Sequence, residues 1–374
     1  MRIASFNLEN LFDRAKALNQ ETWDEGRPTL ERFRELSTLL EEPVYDSATK
    51  TRISRLIVEL GMEKSDTGPF VILRRNRGHL VKRKKTGEIE IVADGRNDWI
   101  GWVELRTEPV NEKAIVNTGR VIGNVNADVI ALVEAENRIA LKEFNEDIIP
   151  LGGGTPYEQI MLIDGNDERG IDVGLMTRSG FKINLMRSHV HDGNADYPVI
   201  FSRDCPEFQV IGPNGTEIWF LVNHLKSKGY GSPAENDRKR KAQATRVAEI
   251  YLELRNRGIA NVVVLGDMND TPSRDPLSPI IDETDLKDVF EHPEFDDGGY
   301  PGTYAGATKS TKIDYIFLSP ALFANVVSGG VFRRGAWPGV RPKKWEVYDT
   351  ITKPVHAASD HHAVWVDINL QAIA

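Results

Sequence analysis

Short apolar runs recur along the chain, and most of them stop at a carboxylate, a carboxamide or an imidazole. The clearest is Val262-Val263-Val264-Leu265, followed by Gly266-Asp267-Met268-Asn269-Asp270-Thr271-Pro272. It is too short for a helix and apolar at every position, so it predicts a strand covered on both faces. Strand alternation would turn Asp267 and Asn269 to the same side, a charged acceptor beside a neutral one. That pair suits a hard divalent cation or a metal-held phosphate. It equally suits a strand-to-loop turn capped by Asx hydrogen bonds.

The other runs repeat the theme. Residues 2–7 predict a strand ending in Asn7, with Glu9 two residues on; an N-cap is the alternative role for Asn7. Ala127–Val133 runs into Glu134, a carboxylate deep enough to need a partner, and the repetition favours a cation over an arginine. Arg169–Met176 predicts a strand with Asp172 near its start, and Val199–Asp204 and Phe208–Val210 two further strand segments. Ile218–Asn223 ends in His224, where Lys226 and Lys228 point to anionic company. Lys312–Ser319 carries Asp314 inside a strand, and Asp360 and His361 precede a terminal strand. Apolar residues at three- and four-residue spacing predict helices over Thr29–Leu40 and Ala48–Leu60, and further helices fall at 111–125 and Glu235–Arg257.

Between the first two helices and 111–125 the texture changes. Phe70–Leu73 leads into Arg74, Arg75, Lys82, Arg83, Lys84 and Lys85, then a Thr-Gly turn and an alternating Glu88–Val92 segment. This predicts hairpin strands with a basic tip. The basic run is either a solvated face or an arm that grips a phosphate backbone. Trp99 and Trp102 would stack on bases in the second case and pack a small core in the first.

The 374 residues carry a net charge of -9, a pI near 5.5, 40% hydrophobic and 28% charged residues. Overall charge therefore does not recruit nucleic acid, and a polyanion must meet a local basic patch or a bound metal. The single Cys205 excludes an internal disulfide and a cysteine-based zinc site. No stretch predicts a transmembrane span or a signal peptide, so no membrane partner and a cytoplasmic location are expected. There is no internal repeat and no Gly-rich phosphate loop.

Taken in order, Ser5-Phe6-Asn7-Leu8-Glu9-Asn10, Glu134-Ala135-Glu136-Asn137, Asn223-His224-Leu225-Lys226-Ser227-Lys228, Gly266-Asp267-Met268-Asn269-Asp270, Lys312-Ile313-Asp314-Tyr315-Ile316 and Ser359-Asp360-His361-His362 resemble the motifs of the endonuclease/exonuclease/phosphatase superfamily. With Phe201-Ser202-Arg203-Asp204-Cys205-Pro206, the wording is most similar to the deoxyribonuclease I-like nucleases. The resemblance spans nearly the whole chain. It implies an α/β (α+β) fold, a four-layer αββα sandwich of two mixed β-sheets flanked by helices. It also implies one domain over 1–374, with a β-hairpin-containing insertion at about 24–110.

The resemblance further implies Mg²⁺ or Mn²⁺, with Ca²⁺ as another hard cation, and hydrolysis of phosphoesters. It places Glu134 as the main metal ligand with Asn7 close by, and Asp267, Asn269 and Asp360 on a second cation or the attacking water. His361 would be the general base with its ring fixed by Asp314. His224 would protonate the leaving oxygen or contact the phosphate, oriented by Asp172, and Arg203 would bind the scissile phosphate. Such an attack needs an activated water, neutralised non-bridging oxygens and an acid for the leaving group. The tyrosine segment of exonuclease III-type nucleases is missing, as is the W-C-D-R-type motif of inositol polyphosphate phosphatases. The expected function is a nuclease acting on DNA rather than RNA. The rivals are an enzyme acting on a small-molecule or lipid phosphoester, and an inactive binding module. Oligomeric state is not encoded in any pattern of the chain.

Overall fold

Strands that are apolar at consecutive positions need cover on both faces, and the computed structural model supplies it. It describes residues 1–9, 11, 13–17, 23–167, 169–229, 231–340 and 343–373. The chain forms two compact units, one of Met1–Phe12, Val110–Lys228 and Ser232–Ala374, the other of Asp13–Pro109 with Gly229–Gly231.

The first unit contains a seven-stranded and a six-stranded mixed sheet. The seven-stranded sheet runs, edge to edge, Phe295–Asp296, Val326–Phe332, Ala363–Ile368, Arg2–Asn7, Val129–Ala135, Asp172–Thr177, Gln159–Leu162. The six-stranded one runs Lys182–Arg187, Glu207–Ile211, Glu217–His224, Val262–Asp267, Asp314–Leu318, Lys287–Asp288. Val129, Ala131 and Val133 pack with Val263, Leu265, Phe220 and Val222 in a core between the sheets. The intervening Ile130 and Leu132 face the other way, against Val121, Ile122 and Val125 of the helix Glu112–Val125. Val262 and Val264 likewise pack on Val247, Tyr251 and Leu254 of the helix Pro233–Asn256. Alternate residues of one strand thus feed two cores, which gives the four αββα layers and explains the absence of polar alternation.

Each sheet has a parallel pair at its centre: Arg2–Asn7 with Val129–Ala135, and Glu217–His224 with Val262–Asp267. The carboxyl ends of these four strands carry Asn7, Glu134, His224 and Asp267. Register does the rest, setting His224 opposite Asp267 and Asp267 opposite Asp314.

Several sequence expectations shift. The strand of residues 262–267 extends past its apolar run, through Gly266 to Asp267, but ends short of Asn269. Gly266 has φ +126°, and a Cβ there would sit 2.0 Å from the Asn223 carbonyl oxygen of the neighbouring strand. Residues 199–206 form no strand; the strand begins at Glu207, so Arg203 lies on the preceding loop. The helix expected from Thr29 starts earlier, at Trp23. Among the described residues, no helix is long and apolar enough to cross a membrane.

The second unit has its own core, in which Leu36, Ile53, Leu56, Ile57, Val71 and Trp99 are buried. Its strands Val71–Arg77 and Ile100–Leu105 pair antiparallel, as do Val81–Arg83 and Ile89–Ile91. Trp99 is core, whereas Trp102 is 52% exposed and stands opposite Arg74.

A Gly266→Ala substitution should cost about 2–4 kcal/mol of stability, because the added methyl meets backbone and the φ is strained for any other residue. Urea unfolding of the two proteins measures it.

Candidate active site

The residues at the strand ends converge on Asp267. The Asn7 side-chain amide donates to Asp267 Oδ2 at 3.2 Å. On the same oxygen, Nε2 of His224 lies at 3.7 Å and Nε2 of His361 at 3.9 Å. The other oxygen, Oδ1, accepts from the Asn269 backbone N–H at 2.8 Å. Asn269 has φ +53°, so the chain has left the strand by then. Its side chain meets Asp267 because this left-handed turn folds it back, donating at 3.2 Å, and not through strand alternation as expected.

Glu134 is brought in by a different device. The Val129–Ala135 strand pairs Ala135 with Asp172 and Val133 with Val173, leaving Glu134 as an extra residue at a bulge with φ +63°. A bulge re-aims a side chain at a local cost, and positive φ is uncommon for a residue with a Cβ. The Glu134 carboxylate lies 3.7 Å from His224 Nε2.

Asp314 and His361 form a hydrogen-bonded pair, with Nδ1 2.9 Å and 3.1 Å from the two carboxylate oxygens. The Thr303 hydroxyl donates to Asp314 Oδ2 at 2.7 Å and accepts from the Asp314 backbone N–H. Asp360 Oδ1 lies 3.9 Å from His361 Nε2, and Glu9 accepts the Asp360 backbone N–H at 2.9 Å.

These positions produce opposed electrostatics. Burial raises Asp267 to about 7, and the Asp314 charge adds to the effect. Burial would lower His361, but the carboxylates of Asp314, Asp267 and Asp360 outweigh it and lift the imidazole to about 10. His224 goes the other way: burial, then the charges of Arg203 and Arg169, hold it well below 6.5.

Two assignments fare differently from their expectation. Asp172 does not orient His224, whose Nδ1 makes no hydrogen bond. Its carboxylate is instead claimed by the Gly165 backbone N–H at 2.7 Å, and burial raises it to about 6. Arg203 is buried, 3.0 Å from Asp167 and donating to the Leu225 carbonyl. A direct phosphate contact by Arg203 would require this buried pair to open. Asp167 also holds Arg169 through two bonds of 2.8 and 2.7 Å, and Arg169 is the more exposed of the two guanidiniums.

Most of the basic residues expected to contact nucleic acid are locally engaged. Arg74 pairs with Glu104 at 2.9 Å, Arg83 with Asp66 at 2.8 Å and Lys84 with Glu88 at 3.0 Å. Arg75 bonds the His79 ring, while Lys82 and Lys85 are exposed. Lys228 pairs with Asp270 at 2.7 Å, and the Lys226 ammonium donates to the Ser227 carbonyl.

A divalent cation fits this donor set. The acceptors are oxygens and imidazole with no thiolate, as hard cations require. Asp267, Asp314 and His361 each offer a ligand atom within 4.8 Å of the others. Asp360 Oδ1 is buried with no hydrogen-bond partner, and such an atom is costly without a cation or donor.

Thr303, Tyr304, Glu9, Asp167 and Arg169 complete the site although no strand-end pattern marks them as functional. Glu9 alone carried a signal, its spacing from Asn7.

Asp314 explains the elevated His361, and this gives a pH prediction. A folded-state pKa raised to about 10 stabilises the metal-free protein fully below the unfolded value near 6.5, and the gain is lost as pH rises through about 10. In Asp314→Asn the His361 pKa should fall by more than one unit and that alkaline loss should shrink. NMR titration of the ring protons and thermal unfolding against pH, both in EDTA, check it.

Residues 90–325 match the sequence model of the Endonuclease/Exonuclease/phosphatase family. No curated protein sequence matches the chain. Similar solved structures include an endonuclease/exonuclease/phosphatase family protein from Bacteroides thetaiotaomicron, 18% identical with a TM-score of 0.50, covering 67% of this chain and 86% of the other. A mannosyl-6-phosphatase of Bacteroides thetaiotaomicron VPI-5482 is also 18% identical with a TM-score of 0.50, over 69% of this chain and 90% of its own. The catalytic domain of human Nocturnin is 15% identical with a TM-score of 0.47, over 70% and 89%. At these identities the likeness is one of fold, whereas the family match covers more than half of the sequence. The chain belongs to the endonuclease/exonuclease/phosphatase family.

Proposed function

We propose that this phosphoester hydrolase is a metal-dependent phosphodiesterase that cleaves DNA. The observation that carries the reading is the pair of imidazoles that share one Asp267 oxygen as neighbour, His224 at 3.7 Å and His361 at 3.9 Å. Attack on a phosphodiester needs a proton acceptor on one side of phosphorus and a donor on the other, and two histidines in unlike environments are suited to divide that work. Enzymes of this family depend on divalent metal, and here Glu134, Asn7, Asp267, Asn269 and Asp360 would hold Mg²⁺ or Mn²⁺. The cation, when bound, supplies charge neutralisation for the non-bridging oxygens and the leaving oxygen.

His361, with its tautomer fixed by Asp314, takes the proton of the attacking water. In the metal-free protein it is the wrong histidine that carries the proton, since His361 is elevated and His224 depressed. Neutralising the charge on Asp267 and Asp360 removes two of the interactions that raise His361. An anionic phosphate beside His224 opposes the Arg203 and Arg169 charges that lower it. Loading the site therefore moves each histidine toward its role. Arg203 and Arg169, fixed by Asp167, hold positive charge near the phosphate, and Asn7 and Asn269 hold Asp267 in place.

A second reading, hydrolysis of a small-molecule or lipid phosphoester, is favoured by the net charge of -9 and by the acidic partners that Arg74, Arg83 and Lys84 already have. The fold is shared with a mannosyl-6-phosphatase, so it accommodates such substrates.

The test is a time course on supercoiled plasmid, linear duplex and single-stranded DNA with Mg²⁺ or Mn²⁺ against EDTA. Metal-dependent cutting is expected, with His361→Ala slower by about 10²–10⁴-fold and Glu134→Ala inactive at low metal. If no polymer is cut while a p-nitrophenyl phosphodiester is hydrolysed, the small-substrate reading replaces the nuclease. If the exposed Lys82 and Lys85 touch the DNA backbone, replacing both by Ala reduces the slope of log KM against log salt by about 2.

A further inference from the structure

Sheet pairing fixes the two central strands of the six-stranded sheet only as far as their ends. His224 is the last residue of one and Asp267 the last of the other. The Leu225 N–H donates to the Asp267 carbonyl at 2.9 Å, and there the ladder between them stops. Asn269 lies past that point. It must nonetheless keep its side-chain amide on the Leu225 carbonyl at 3.1 Å and on Asp267 Oδ2 at 3.2 Å, from a backbone at φ +53°. Positive φ at a residue with a Cβ persists only where the surroundings over-determine it.

One side chain reaches both segments beyond the strand ends. Arg240, fully buried on the helix Pro233–Asn256, donates through Nε to Asp270 Oδ2 at 2.9 Å and through Nη1 to the Lys226 carbonyl at 2.6 Å. Gln243, three residues on, accepts the Lys226 N–H at 2.7 Å, so both polar groups of that residue's backbone are tied to the helix. Asp270 is buried as well, and its carbonyl accepts from the Tyr315 hydroxyl at 2.9 Å. Its Oδ1 meets Lys228 at 2.7 Å and Arg274 at 3.1 Å, both half-exposed. Burial would raise the Asp270 carboxyl, but Lys228 and Arg240 outweigh it and hold it below the usual range, hence ionised. The reaction as described uses neither Arg240 nor Asp270.

We propose that Arg240 is a positioning residue of the metal site: its guanidinium ties Asp270 to the Lys226 carbonyl and so fixes the intervening Asn269 against Leu225 and Asp267. The proposal rests on the metal-dependent phosphoesterase reading, in which Asn269 serves the cation, and is independent of whether the substrate is DNA. Arg240→Met keeps an unbranched side chain and removes the fork, leaving Asp270 with Lys228 and Arg274. Arg240→Lys returns the charge, but a point donor cannot hold a carboxylate and a carbonyl in the geometry of a planar fork.

In metal-free protein, the NMR signals of the Asn269 side-chain amide, assigned by their loss in Asn269→Ala, should move toward those of a free amide in Arg240→Met. The Val263 and Val264 backbone signals should stay in place. With a p-nitrophenyl phosphodiester at saturating Mn²⁺, kcat should fall about 10–100-fold, the usual effect of losing a group that orients a ligand, with KM within about threefold. In an Asn269→Ala background, Arg240→Met should cause less than a threefold further loss, since its route to the site is already cut. Arg240→Lys should unfold at a higher temperature than Arg240→Met yet keep most of the loss in kcat, and it carries the same comparison if Arg240→Met does not fold. An unmoved Asn269 amide or an unchanged kcat in a folded Arg240 variant, or effects that multiply fully with Asn269→Ala, overturns the proposal and leaves the phosphoesterase reading standing. Wild-type protein with no Mn²⁺-dependent turnover overturns both.

Discussion

The structure depends on tolerating Asp267 and Asp314 as directly paired residues on neighbouring buried strands. Two carboxylates so placed repel each other, and neither has water to screen it. The protein answers with His361 between them, hydrogen-bonded to Asp314 and charged by the company it keeps, and with Asn7 and Asn269 donating to Asp267. This is a partial answer. A protonated histidine balances one charge, and Glu134 and Asp360 add two more nearby. The site is thereby an unfinished charge balance, which is the property a divalent-cation site needs before the cation arrives.

The backbone departs from ordinary geometry at several places around this convergence. Gly266, Glu134, Asn269 and Ala305 all have positive φ, and each sits at or beside a residue of the site. Gly266 lets the Asn223 carbonyl approach the Val262–Asp267 strand; Glu134 is thrown out of the ladder by a bulge; Asn269 turns back on Asp267; Ala305 reaches the Asp360 carbonyl. The cores beneath are regular, with alternating residues divided cleanly between two apolar layers. Strain concentrated over a regular foundation is the arrangement expected when precision of side-chain placement outweighs local stability.

Much of the architecture was legible. The apolar runs 129–133 and 262–265 announced strands covered on both sides because Val, Ile, Leu and Ala at successive positions leave no face for water. The helices Trp23–Leu40 and Ser47–Glu59 followed from three- and four-residue spacing, the first in all but its start. The stretch 199–206 misled because Val199, Ile200 and Phe201 look like a strand but pack as a loop, Ile200 and Phe201 filling the core under the long helix. The basic run from Arg74 to Lys85 is partly neutralised within the fold. Acidic partners such as Glu104 and Asp66 lie 17 to 30 residues away in the chain, so sequence-local charge overstates the positive potential.

By itself the sequence determined which chemistry was possible: an oxygen and imidazole donor set at strand ends, with a single thiol, Cys205, in the whole chain. Short strands position their terminal residues predictably, and that made Asn7, Glu134, His224, Asp267, Asp314 and His361 readable. Tertiary structure decided how these groups act on one another. It made Asp314 the partner of His361 and withheld Asp172 from His224, and it buried Arg203 against Asp167. It also brought the Tyr304 ring against His361 from a distant part of the chain. Local pattern reports which face a residue takes, whereas a pKa, an ion pair or a rotamer depends on what approaches from other strands and loops, and only the folded chain sets those distances.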